Sequence, residues 1–136
     1  MIKRAALVIV IKESKILSVS RGIGSSLWAL PGGKAEYDES PYQNAARELY
    51  EETALTAQSL ELVHEDLVPG EKGKGIDFYS TCFFATEWSG KPCHSDEGDL
   101  DWLSVEELTQ TKSAFPLWSQ VCIKMFMQKY PNIALS

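Results

Sequence analysis

Residues 31–54 constrain this chain more than any other stretch. Pro31-Gly32-Gly33 forces a turn, because glycine supplies backbone angles that other residues avoid. Ser40 is a strong N-cap, and Pro41 suits the first helical position. The spacing predicts a helix over 41–54, with Ala45, Ala46, Leu49 and Thr53 marking its buried side. A turn that runs into a capped amphipathic helix needs a sheet to receive the helix's apolar side.

The flanking segments supply strands. Residues 2–11 are rich in Val and Ile and read as a buried strand. Glu13-Ser14 makes a turn, and Lys15 to Ser20 returns, which predicts a β-hairpin. Residues 21–26 form a Gly/Ser loop, and 27–30 a short apolar piece. Further strands are expected over 57–68, 76–87 and 100–103, with loops at 69–75 and 90–98. Ser104 caps a short helix through Leu108. From Pro116 to about Gln128 the apolar positions 117, 118, 121, 122, 125 and 126 predict a terminal amphipathic helix. Strands, helix, strands and helix in that order give a mixed α/β sandwich. The length of 136 residues suits one domain over 1–136, without linker or repeat.

Charge narrows the function. The net charge is −6, so the chain gains little from phosphate-backbone attraction, and long nucleic acid is not an expected partner. No segment reaches eighteen apolar residues, so no membrane association is expected. Three cysteines, none in a C-x-x-C pair, point to a reducing, cytoplasmic setting rather than a disulfide framework.

Six of the nineteen acidic residues lie between 36 and 52: Glu36, Asp38, Glu39, Glu48, Glu51 and Glu52. Only Lys34 and Arg47 offset them there. Glu48, Glu51 and Glu52 are three and four apart, so they share a helix face, where like charges repel. They also lie in the C-terminal half, where the helix dipole disfavours anions. A local rule broken repeatedly at one place marks a functional site. Divalent cations would relieve it, since carboxylate oxygens on a rigid face suit Mg²⁺ or Mn²⁺. Such an ion binds phosphate oxygens and activates water.

Residues 33–55 resemble the Nudix box of the Nudix (MutT-like) hydrolases. That pattern is Gly, five residues, Glu, seven residues, then Arg-Glu-apolar-x-Glu-Glu-x-Gly-apolar. Here Gly33 and Glu39 are followed by Arg47-Glu48-Leu49-Tyr50-Glu51-Glu52-Thr53-Ala54-Leu55. Ala54 stands where the family has Gly, a change that bears on the helix cap. The upstream LWALPGGK and the later Trp102-Leu103-Ser104-Val105-Glu106-Glu107-Leu108 are similar to the family as well.

The resemblance implies an α/β/α Nudix sandwich with a mixed sheet. It implies Mg²⁺-dependent hydrolysis of the pyrophosphate bond of a nucleoside diphosphate linked to another group. A nucleoside triphosphate, oxidised or not, and a nucleotide sugar both satisfy that description. Glu48, Glu51 and Glu52 would be metal ligands, joined by the carbonyl of Gly32. Arg47, Glu39 and Gly33 would brace the loop and helix. The general base is a helix Glu or a Glu of a later loop, for which Glu97 stands in the right segment. Arg21 is placed as a phosphate contact. The family pattern fits a monomer or a homodimer.

Aromatic residues Trp28, Phe78, Tyr79, Phe115 and Trp118 are candidates to stack on a base, with Trp28 and Phe78 foremost. Lys72 and Lys74 could meet phosphates or simply solvate a hairpin tip. His64 and His94 stand alone and take no role, while Cys82 is expected to pack. Two competing readings are a non-catalytic nucleotide-binding module on the same scaffold and an acidic Ca²⁺-binding protein. The second lacks the twelve-residue ligand loop.

Overall fold

The computed structural model describes residues 2–69 and 77–136. Lys72 and Lys74 lie outside the described residues. Two four-stranded sheets and two principal helices make up the fold. The first sheet has the order β5 (Gly32–Lys34), β1 (Ile2–Ile9), β7 (Asp77–Ser89), β6 (Thr56–Val68). β1 runs parallel to β7, and the other pairings are antiparallel, so the sheet is mixed. In the second sheet β3 (Lys15–Ser20) pairs with β2 (Ile11–Lys12), β4 (Trp28–Ala29) and β8 (Leu100–Leu103).

The expected strand over 2–11 is therefore two strands. β1 ends at Ile9, and after Val10 the chain enters the second sheet as β2. The hairpin joins only β2 to β3. Its turn residues Glu13 and Ser14 have φ of 51° and 67°, the left-handed pair that matches strand twist in a tight hairpin.

Alternation along the strands assigns each face to a helix. Ala6, Val8, Phe83 and Ala85 face Ala45 and Leu49 of α1 (Pro41–Thr53). Ile9, Cys82 and Phe84 face Cys122, Ile123 and Phe126 of α2 (Pro116–Lys129). Helices thus cover both sides of the sheet, the α/β/α arrangement expected.

Local chemistry sets the helix ends. The Ser40 hydroxyl accepts from the Gln43 N–H while the Gln43 side chain accepts from the Ser40 N–H, a complete capping box. α1 stops at Thr53, and Ala54 closes it in the left-handed region at φ 65°, its N–H donating to the Tyr50 carbonyl. A Cβ in that region is strained. Ala54→Gly is expected to raise stability by about 1 kcal/mol, read as a shifted midpoint in urea unfolding. An unchanged or lowered midpoint would show that no strain resides there.

Two helix expectations need correction. The turn that Ser104 caps does not end at Leu108; it widens into a π-helical segment, Glu107–Thr111. On α2 the buried side is Ser119, Cys122, Ile123 and Phe126, whereas Leu117 is 79% and Val121 38% exposed. The sheet meets the helix about one position further round than the apolar pattern implies. No helix among the described residues is long and apolar enough to cross a membrane.

Candidate active site

The turn expected at Pro31-Gly32-Gly33 is instead the start of strand β5: Gly32 and Gly33 pair with β1, neither has a positive φ, and glycine is required there by close approach rather than by backbone angle. Gly32 is paired with Leu7 of β1, and a Cβ on it would lie 2.3 Å from the Ala6 carbonyl oxygen. A Cβ on Gly33 would lie 2.7 Å from the Glu48 carboxyl carbon. Asn44, fully buried on α1, donates to the Gly33 carbonyl at 3.2 Å. The β5 strand therefore rests on the face of α1 that carries Glu48 and Glu52.

Arg47 is the hub of the acidic cluster. Its Nε and Nη2 donate to the two Glu39 carboxylate oxygens at 2.6 and 3.0 Å. Nη1 donates to Glu48 at 2.8 Å and to Glu51 at 3.1 Å, and Nη2 also reaches the Lys34 carbonyl. The hydrogen bond to Glu39 foremost holds Arg47 charged, and that same bond pulls Glu39 below the usual carboxylate range. Glu39 in turn accepts from the Glu36 N–H, and its own carbonyl accepts from Arg4 of β1. Arg47 and Glu39 thus tie the loop ahead of the helix to the helix.

Glu48 and Glu52 are held differently. Burial raises Glu48, against the pull of Arg47. Burial likewise pushes Glu52 up to about 7, with Glu48 and Glu97 adding repulsion. The Gly32 N–H, at 2.7 Å from a Glu52 oxygen, and the Arg21 charge act the other way. The fold so brings Glu97, from the loop before β8, and Arg21, just past β3, into the electrostatic field of Glu52. Both are exposed. Among the described residues no three carboxylates surround one ligating point; Glu48 and Glu51 rest on Arg47, and Glu52 rests on the Gly32 amide. The donor set is all hard oxygen and carries more negative charge than Arg47 and Arg21 offset. That composition fits a divalent cation.

The aromatic candidates divide. Phe115, 38% exposed, lies under the Arg21 guanidinium at 5.0 Å and so borders the cluster. Trp28 is half-buried against the core, and its backbone is taken up by the Lys112 carbonyl and the Ala114 N–H. Phe78, near the start of β7, sits beneath the Lys34 ammonium at 5.9 Å, and the Lys34 carbonyl in turn accepts from Arg47. Tyr79 is engaged with Glu65, and Trp118 packs on His64 at 5.8 Å. Cys82 is buried in the core, as expected. Sequence reasoning missed Asn44, Ser20 and Asp99. Asn44 had one signal: it shares the helix face of Glu48 at i, i+4 spacing.

The comparisons agree with this geometry. A family model described as NUDIX domain matches residues 1–121. Phosphatase NudJ of Escherichia coli K12 is 34% identical over 104 residues, covering 74% of this chain and 67% of that protein. The solution structure of the E. coli ORF135 protein superposes with a TM-score of 0.76 at 25% identity, over 96% of this chain and 93% of that one. The mutator MutT protein of Bacillus halodurans gives 0.74 at 25% identity, over 98% and 85%. With the box on a capped helix, strand β5 seated on it and the family model across most of its length, this chain belongs to the Nudix hydrolases, a family that acts on pyrophosphate bonds and generally uses a divalent metal.

Proposed function

We propose that this chain is a Mg²⁺-dependent hydrolase of small nucleotide-like diphosphates, with Mn²⁺ able to substitute. Its substrate class is a nucleoside triphosphate, oxidised forms included, or a nucleotide sugar. The observation that carries this reading is the acidic face of α1 against β5, where Arg47 joins Glu39, Glu48 and Glu51 and Glu52 accepts from the Gly32 N–H. A binding module would have no use for so much uncompensated acid around a half-buried carboxyl.

Glu48, Glu51, Glu52 and the Gly32 carbonyl would hold the cation, which when bound supplies charge neutralisation at the phosphates and a more acidic water. Arg47 and Glu39 fix the helix face, and Gly33 leaves room for the Glu48 carboxyl. Arg21 contacts a phosphate oxygen from the rim, its guanidinium steadied on Phe115. Glu97 accepts the proton of the attacking water as the water oxygen bonds to phosphorus and the bridging P–O bond breaks. Phe115 and Trp28 flank the side on which the base or sugar lies.

The test is a phosphate-release screen with Mg²⁺ over ordinary and oxidised nucleoside triphosphates, nucleotide sugars and dinucleoside polyphosphates. Hydrolysis of one class that vanishes with chelator is expected, together with a rise in melting temperature at millimolar Mg²⁺. A folded protein that hydrolyses none of them and shows no such rise would overturn the reading.

A further inference from the structure

Arg21 and Glu97 are exposed and lie 76 positions apart, yet their two loops meet at the end of β3. Exposed loops hold such positions only if something fixes them. Residues Ser20 and Asp99 do so with four hydrogen bonds. The Ser20 N–H donates to the Asp99 carbonyl at 3.0 Å, and the Asp99 N–H donates to the Ser20 hydroxyl at 2.8 Å. That hydroxyl donates onward to the Gly22 carbonyl at 2.8 Å. The Asp99 carboxylate then accepts from the Gly24 N–H at 2.9 Å, reaching across to the middle of the Arg21 loop.

Sterics complete the knot. Gly98 is buried, and a Cβ on it would fall 2.5 Å from the Ser20 carbonyl oxygen, so the Glu97 loop lies directly on the end of β3. Ser95 and Gly98 bridge to each other, and the Ser95 hydroxyl accepts from the Glu97 N–H, which presents Glu97 at the tip of a closed turn. Three of the four bonds tie residues 20–24 to Asp99, and of these only the Gly24 bond uses the Asp99 carboxylate, which carries the contact beyond the β3–β8 pairing into the middle of the Arg21 loop.

We infer that Asp99 is a positioning residue: with Ser20 it clasps the Arg21 loop to the Glu97 loop, so that the phosphate-side cation and the proton acceptor are held relative to each other as one unit. The inference rests on the roles proposed above for Arg21 and Glu97. Asp99 reaches the chemistry only through those two residues. Its carboxylate acts as an acceptor rather than a charge, so Asn can replace it.

Two measurements decide. In amide hydrogen exchange of the metal-free protein, Asp99→Ala is expected to speed exchange about tenfold or more at Gly24 and at 97–99 together, with α1 amides unchanged. Asp99→Asn is expected to keep the parent pattern. Protection retained in both loops, or loss in one alone, would overturn the clasp whatever the activity. For turnover, with the panel nucleotide hydrolysed fastest, Asp99→Ala is expected to lower kcat/KM about tenfold and Asp99→Asn to restore it. In an Arg21→Ala, Glu97→Gln background the same change is expected to add little. A full tenfold loss in that background would overturn the positioning role. Parent-like turnover in the Arg21→Ala, Glu97→Gln protein itself would instead overturn the roles given to those two residues, leaving the exchange result to judge the clasp.

Discussion

Glu52→Gln is expected to lower hydrolysis about a thousandfold or more and, without metal, to make the protein more stable at pH 8. A thousandfold is about 4 kcal/mol of transition-state stabilisation, within what a lost metal ligand removes. The stability gain follows from linkage. Glu52 titrates at about 7 in the fold, raised first by burial and then by Glu48 and Glu97, against an ordinary value of 4.5. Between those values the native state holds a proton that the unfolded chain has lost, so stability falls as pH rises through that window. Well above pH 7 the parent carries the whole cost, about 3 kcal/mol. Gln has no charge to bury, and its oxygen can still accept from the Gly32 N–H. The difference between variant and parent should therefore be large at pH 8 and small at pH 4.5 in urea unfolding. The Mg²⁺-induced rise in melting temperature should shrink in the variant. Turnover near the parent value would sink the ligand assignment, and an equal stability gain at both pH values would sink the account of the charge.

Local signals were legible from residue order, and long-range ones were not. Ser40-Pro41 and the Arg47 to Glu52 run depend on neighbours within a helical turn or two, so pattern alone locates them, whereas Gly32-Gly33 reads as a turn and forms strand β5, because its pairing with β1 is long-range. The break at Val10 left no trace, because Ile9 and Ile11 are equally suited to either sheet. The register of α2 was misjudged because Leu117 and Val121 are as apolar as Ile123, and only the sheet decides which side it covers. At the site, the carboxylates were readable from spacing and from the electrostatic penalty they incur. Arg21 was placed by its position after β3. Asp99 was not, since its partner Ser20 lies 79 residues away and nothing in either residue's surroundings announces the pairing. Aromatic residues were the least legible: Trp118 is matched to His64 and Phe78 to Lys34, pairings that composition cannot foresee.

The adjacent glycines Gly32 and Gly33 are expected to fail in opposite ways when replaced by Ala. In Gly32→Ala the new methyl meets main chain: the Ala6 carbonyl oxygen at 2.3 Å and the Leu7 Cα at 2.9 Å, within the β1–β5 pairing. Neither can yield without separating strands, so a loss of about 3 kcal/mol is expected, at the upper end for overpacking. In Gly33→Ala the three atoms nearest the methyl all belong to the Glu48 carboxyl, at 2.7 to 2.8 Å. That group ends a flexible side chain and can swing aside, so stability should change by less than about 1 kcal/mol. The displacement takes Glu48 from Arg47 and from the place where it would bind a cation, and hydrolysis should fall about a hundredfold. Urea midpoints and Mg²⁺-dependent turnover on the two variants separate the effects. If Gly33→Ala were as destabilised as Gly32→Ala, the Glu48 carboxyl would be fixed by packing, and its role would be structural. If Gly33→Ala were stable and fully active, Glu48 would stand outside the chemistry, and the hydrolytic centre would reduce to Glu51, Glu52 and the loop carboxylate Glu97.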